Sequence, residues 1–151
     1  MVRGALLALL LLATPAMATP RIGSDGIVTI TKDEGGLIYP PVYQQAWATI
    51  ARRGIRVRID GECTSACTTV LGIVPRENVC VTPQARFGFH KAMSWSPATG
   101  WIVDDYWTNM LITKYYPPVV RAWLKLRVLH VMPITYMPAS VLVPSWYRWC
   151  K

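Results

Sequence analysis

Acidic residues are scarce in this sequence of 151 residues: 8 Asp and Glu stand against 16 Lys and Arg, a formal charge of +8 with histidine neutral. Charge of either sign is thin, at 16% of residues against 52% hydrophobic, which excludes a chain held open by its own repulsion. A packed globule is expected. Lys/Arg-rich runs are also missing, because the cations are scattered as Arg52-Arg53, Arg56, Arg58, Arg121, Lys125 and Arg127. No finger or ribonucleoprotein-type aromatic motif accompanies them, so no nucleic-acid partner is expected, and contact with an anionic envelope surface is the more natural use of the excess. Internal repeats are absent. At roughly 100–200 residues per domain the length allows a single domain.

Long hydrophobic runs are limited to one, Ala5–Ala13, nine residues of Ala and Leu preceded by Arg3. A helix needs ~20 apolar residues to cross a bilayer, so this run is too short. Thr14-Pro15 and the small-x-small triplet Ala16-Met17-Ala18 follow it, the pattern of a cleaved export signal. Residues 1–18 are read as a signal peptide and 19–151 as the single domain, with no transmembrane segment after cleavage and a periplasmic or secreted location. Uncleaved anchoring is the alternative. Cysteine is confined to Cys63, Cys67, Cys80 and Cys150, an even number that in an oxidising compartment reads first as two disulfides.

What remains is organised as strands and helices. Ile27–Thr31 is β-branched throughout and ends at Asp33-Glu34-Gly35-Gly36. Pro40-Pro41 then opens a helix with Val42, Ala46, Trp47 and Ile50 on one face, stopped by Arg52-Arg53-Gly54. Ile55–Asp60 alternates with period two, completing a βαβ unit whose strands should be parallel. Ligands of such sheets bind beyond the carboxyl ends of the strands, at Gly35-Gly36 and just past Asp60. Asn78–Thr82 and Ala85–His90 read as further strands, 94–101 as a surface loop, and Asp104–Tyr115 (capped by Asp104) and Val119–Val128 as helices. The tail from Met132, broken by Pro133, Pro138 and Pro144, carries Trp146, Tyr147, Trp149 and Cys150, which should tie it back onto the domain.

Ser65 stands where a strand ends and a helix would begin, so unpaired amides there could face a developing oxyanion. A serine hydroxyl needs a base, and His90 closes the following strand. Gly36 would add its amide to that of Ala66. Ser65 also reads simply as a helix N-cap, and His90 as a structural histidine. His130 has no partner motif.

The order Asp33-Glu34-Gly35-Gly36, helix, strand, Gly61-Glu62-Cys63-Thr64-Ser65-Ala66-Cys67, then Pro83-Gln84-Ala85-Arg86-Phe87-Gly88-Phe89-His90 resembles the proteolytic subunit of Clp-type serine proteases, within the crotonase superfamily, and more closely an exported bacterial branch of it. The intervals, 29 residues from Gly36 to Ser65 and 25 from Ser65 to His90, are similar to those of the family's glycine, serine and histidine. The resemblance covers residues 26–92. It implies an α/β fold with a crotonase-like ββα core, a short, mainly parallel sheet and a helical C-terminal extension. It also implies a Ser65 nucleophile, a His90 general base, and an oxyanion hole of the Gly36 and Ala66 amides.

The implied reaction is acyl transfer to water from a peptide or other acyl substrate, without cofactor or metal. Departures are clear: where the family has its acid, Ile134–Ser140 offers no carboxylate, and Asp104 and Asp105 are the only acids after His90. A catalytically inactive scaffold binding a peptide or cell-envelope partner is therefore the second expectation. The sequence sets no oligomeric state. Four cysteines allow three pairings. Cys67 with Cys80 and Cys63 with Cys150 is expected, anchoring the tail near the site, while zinc held by Cys63, Cys67, Cys80 and His90 is the alternative use.

Overall fold

The computed structural model describes residues 20–36 and 41–151; the expected signal peptide lies outside the described residues. Strand β1 (Val28–Asp33) leads through the glycine pair toward helix α1 (Val42–Arg52) and strand β2 (Val57–Thr64), which runs parallel to β1. The βαβ reading of the sequence therefore holds in its strand direction. Pro41 is the N-cap of α1, and Pro40 lies outside the described residues. The buried residues of α1 are Tyr43, Gln44, Trp47 and Ile50, a face turned slightly from the expected one: Val42 and Ala46 are only half-buried. The i, i+4, i+7 spacing of the larger side chains decides which face turns inward.

Beyond β2 a 3₁₀ turn (Ser65–Thr69) runs directly into the short helix α2 (Val70–Ile73). Strands β3 (Val79–Val81) and β4 (Arg86–Phe89) both pair in parallel with β2, β3 along Val57–Ile59 and β4 along Glu62–Thr64. With β1 on one side of β2, these two must share the other side in succession. The chain beyond forms a hairpin of β5 (Met93–Ser96) and β6 (Gly100–Val103), then helices α3 (Asp105–Tyr115) and α4 (Pro118–Lys125). Strand β7 (Thr135–Pro138) adds antiparallel to β4, and β8 (Arg148–Trp149) adds parallel to β3. The architecture is mixed α/β with a mostly parallel sheet. Its core gathers Trp47, Ile59, Leu71, Phe87, Met137 and Leu142, all fully buried. No described helix is long and apolar enough to cross a membrane.

Three expectations need correction. The strand read over Ile55–Asp60 does not end there: the alternation breaks at Asp60-Gly61, but β2 continues to Thr64. Gly61 is used for close approach, since a Cβ there would lie 1.9 Å from the Thr31 carbonyl oxygen. Residues 94–101 are not a loop but most of the β5–β6 hairpin. Pro97 falls in its turn, Gly100 takes φ +67° and Trp95 pairs with Trp101, so the turn formers interrupt only the connection. The disulfides join Cys63 to Cys67 and Cys80 to Cys150, not Cys67 to Cys80 and Cys63 to Cys150. The sheet explains this: β8 sets Cys150 beside β3, where Cys80 is level with Arg58 in β2, five residues below Cys63. At ~3.3 Å per residue that is about 16 Å, well beyond a disulfide's span.

The tail is tied back as expected. The buried Tyr147 hydroxyl donates to the Leu71 carbonyl at 3.0 Å, and the Cys150 amide to that of Val81 at 2.9 Å. At the next residue of α2, α3 ends so close that a Cβ on Gly72 would lie 1.8 Å from the Tyr115 carbonyl oxygen. Gly72→Ala is expected to lower unfolding stability by about 1–3 kcal/mol, read from urea denaturation, because backbone rather than a flexible side chain must yield.

Candidate active site

Ser65 takes φ +55°, the one non-glycine residue in the left-handed region among those described. Serine has a Cβ that opposes this conformation. The turn holds it there from both sides. Its carbonyl accepts from Thr68 Oγ1 at 2.6 Å, and that hydroxyl in turn lies 2.7 Å from the Tyr116 hydroxyl. Since Thr68 spends its single proton on Ser65, Tyr116 is the donor of the second bond. Burial pushes the Tyr116 phenol up to about 12, so it keeps that proton across the physiological range. The disulfide between Cys63 and Cys67 closes around Ser65 with a Cα separation of 5.4 Å.

The helix-cap reading of Ser65 does not describe its place. Thr64 is the N-cap of the 3₁₀ turn, its side chain makes no capping bond, and it donates instead to Glu62 Oε1 at 3.2 Å. Amides of a first helical turn have no intrahelical acceptor, and that of Ala66 is among them. The Ser65 hydroxyl has no hydrogen-bond partner among the described residues.

Ser65 and His90 line one small cavity, of about 30 Å³, together with Ala66, Thr69, Gly88, Phe89, Ala92, Leu111 and Tyr116. That volume accommodates one water-sized group. No hydrogen bond joins the two side chains. His90 Nδ1 lies 2.8 Å from the Lys91 carbonyl oxygen. A carbonyl can only accept, so the neutral ring carries its proton on Nδ1 and has its lone pair on Nε2. The segment is held in turn by the Lys91 amide, which donates to the His130 carbonyl at 2.9 Å. His130 thus contributes through its backbone.

Comparison with family models, curated proteins and solved structures finds no match. Both acids that follow His90 are engaged elsewhere: Asp104 caps α3 by accepting from the Trp107 amide at 2.9 Å and is also bonded to Ser94, while Asp105 pairs with Lys91 Nζ at 2.8 Å. The Ser94 hydroxyl, followed by the Trp107 amide, holds the Asp104 carboxyl below its usual range.

Of the glycine pair, Gly35 reaches the site as well. Gly35, at φ +71°, packs so tightly on the serine that a Cβ there would meet the Thr64 carbonyl oxygen at 2.4 Å, the Ala66 amide nitrogen at 2.8 Å and Ser65 Cβ at 2.8 Å. Gly36 is the next residue, exposed, and faces the Tyr43 ring. Thus Ser65, Ala66 and His90 share one cavity with Gly35 packed against the serine, and all four cysteine sulfurs are consumed as disulfides, two of them bracketing the serine. Sequence reasoning missed Thr68, Tyr116 and the Lys91 carbonyl. The first two announce themselves only through a contact 48 residues apart in the chain, and a main-chain acceptor has no sequence signal at all.

Proposed function

We propose that this chain is an exported serine hydrolase with a crotonase-like, Clp protease-like core, acting on a peptide or other acyl substrate. The observation that carries the reading is the left-handed Ser65 sharing a cavity with a His90 whose Nδ1–H is fixed by the Lys91 carbonyl. Backbone strain of this kind persists only where the surroundings enforce it, and it concentrates at reactive positions. In the proposed reaction Ser65 Oγ attacks the acyl carbon while His90 Nε2 takes its proton. The Gly36 and Ala66 amides receive the oxyanion. His90 then protonates the leaving group, and water hydrolyses the acyl-enzyme by the same relay.

In this scheme the Lys91 carbonyl does the orienting work of the missing acid. It sets the tautomer, but being neutral it stabilises the imidazolium less than a carboxylate would, so a slow enzyme is the natural outcome. The two disulfides and the absence of a membrane-crossing helix among the described residues are compatible with a periplasmic or secreted protein.

The alternative, a catalytically inactive scaffold for a peptide or envelope partner, is favoured by the β5–β6 hairpin. Its cross-strand Trp95 and Trp101 stay 58% and 56% exposed, beside exposed Met93 and Val103. A fluorophosphonate probe separates the readings. Folded, oxidised protein is expected to label, and His90→Ala to slow labelling about 10²-fold or more, the scale of a lost general base. No labelling of the wild type would leave the scaffold reading.

A further inference from the structure

The path of β1 contains a device that core packing does not require. Its inward residues are Val28 and Ile30, and strict alternation would bury Lys32 next and expose Asp33. The reverse occurs: Thr31 and Lys32 are both exposed and Asp33 is buried, at 9% exposure. The phase changes where the register with β2 slips, from Ile30 opposite Ile59 to Lys32 opposite Glu62, so that β2 carries one extra residue at Asp60-Gly61. The slip turns a carboxyl inward, which is unfavourable unless it is hydrogen-bonded.

The bonds it makes are specific. Asp33 Oδ1 accepts from the Tyr43 hydroxyl at 2.6 Å and from the Gly35 amide at 2.8 Å. Tyr43 is itself buried on α1, and burial, then the Asp33 bond, raises its phenol well above the usual range, so it stays a donor. Gly35 is the residue pressed against Ser65 and Ala66. One carboxyl oxygen therefore ties helix α1, the end of β1 and the glycine turn together beside the strained serine.

We infer that Asp33, seated by Tyr43, is a positioning residue that fixes the Gly35-Gly36 turn against Ser65, so that the amide after the one it binds is presented as the oxyanion donor. The inference rests on the hydrolase reading above. Misplacing such a donor by about 1 Å is enough for a 10²-fold loss. Asp33→Asn keeps a carbonyl oxygen able to accept both bonds, whereas Asp33→Ala keeps none.

The test measures fluorophosphonate labelling of the oxidised, full-length protein, resolved into probe binding and phosphonylation, alongside hydrogen exchange at the Gly35 amide. Asp33→Ala is expected to slow phosphonylation about 10²-fold with probe binding little changed and to release Gly35 protection. Asp33→Asn should recover most of both. Tyr43→Phe, which removes a single donor, should lie between them and serves if Asp33→Ala does not fold. Wild-type labelling rates in Asp33→Ala or Tyr43→Phe, or an Asp33→Asn no faster than Asp33→Ala, would overturn the inference. A wild type that never labels would instead overturn the hydrolase reading, with Gly35 exchange still deciding whether Asp33 holds the turn.

Discussion

Ser65→Gly is expected to abolish fluorophosphonate labelling, by at least about 10³-fold, and at the same time to make the protein more stable. The two effects share one cause. At φ +55° a serine Cβ is strained, and a left-handed conformation costs a non-glycine residue about 1–2 kcal/mol. Glycine removes that strain but loses more backbone freedom on folding, by roughly 0.5–1 kcal/mol. The hydroxyl has no partner among the described residues, so its deletion forfeits no hydrogen bond there. A net gain of up to about 1.5 kcal/mol should remain, visible as a higher urea midpoint with an unchanged slope. A serine retained for packing would behave in the opposite way. A variant that is less stable by more than 1 kcal/mol, or one that still labels, would remove the reason for calling this turn a reactive one.

Much of the fold was legible because its signals are local. The β-branched run at 27–31, the alternation at 55–60 and the Asp104 cap each state a dihedral preference within a few residues, and each yields the element it announces. What was hidden depends on distant partners. Nothing within Ile134–Ser140 distinguishes a broken tail from an edge strand, because β7 exists only through its pairing with β4, and Pro138 is tolerated at an edge. The same holds for the disulfides: the separation of Cys63 from Cys150 follows from the registers of β2 with β3 and of β3 with β8, and register is not written in any segment alone.

The site divides along the same line. Ser65, His90, Ala66 and the glycine pair could be named from order and interval, since each lies at the end of a strand and parallel strands bring those ends to one edge. The groups that hold them in place could not. Asp33 has no role legible in the sequence beside the glycine pair that ends the strand, because its inward turn requires a slip opposite Gly61, and that slip is a property of two strands. The acid expected to orient His90 was sought among carboxylates, whereas the group at 2.8 Å from Nδ1 is a main-chain oxygen.

The two disulfides should separate stability from reactivity when removed one at a time. Cys80–Cys150 spans 70 residues and Cys63–Cys67 spans four, so the entropy each withholds from the unfolded chain differs: about 4 kcal/mol for the long link and about 2 kcal/mol for the short one. The long link matters further because β8 is only two residues, paired to β3 at Arg148 and Trp149, too little ladder to keep the tail docked alone. Cys80→Ser/Cys150→Ser is therefore expected to lose about 4 kcal/mol in urea denaturation yet, while folded, to label at close to the wild-type rate. Cys63→Ala/Cys67→Ala should do the reverse. It loses about half as much stability but frees the ends of the five-residue turn that keeps Ser65 left-handed, so labelling should fall by 10-fold or more, on the order expected when a reacting group drifts from its attack geometry. Equal labelling in the two double variants would mean that the short link is only a staple and that the Thr68 and Tyr116 hydrogen bonds hold the serine without it.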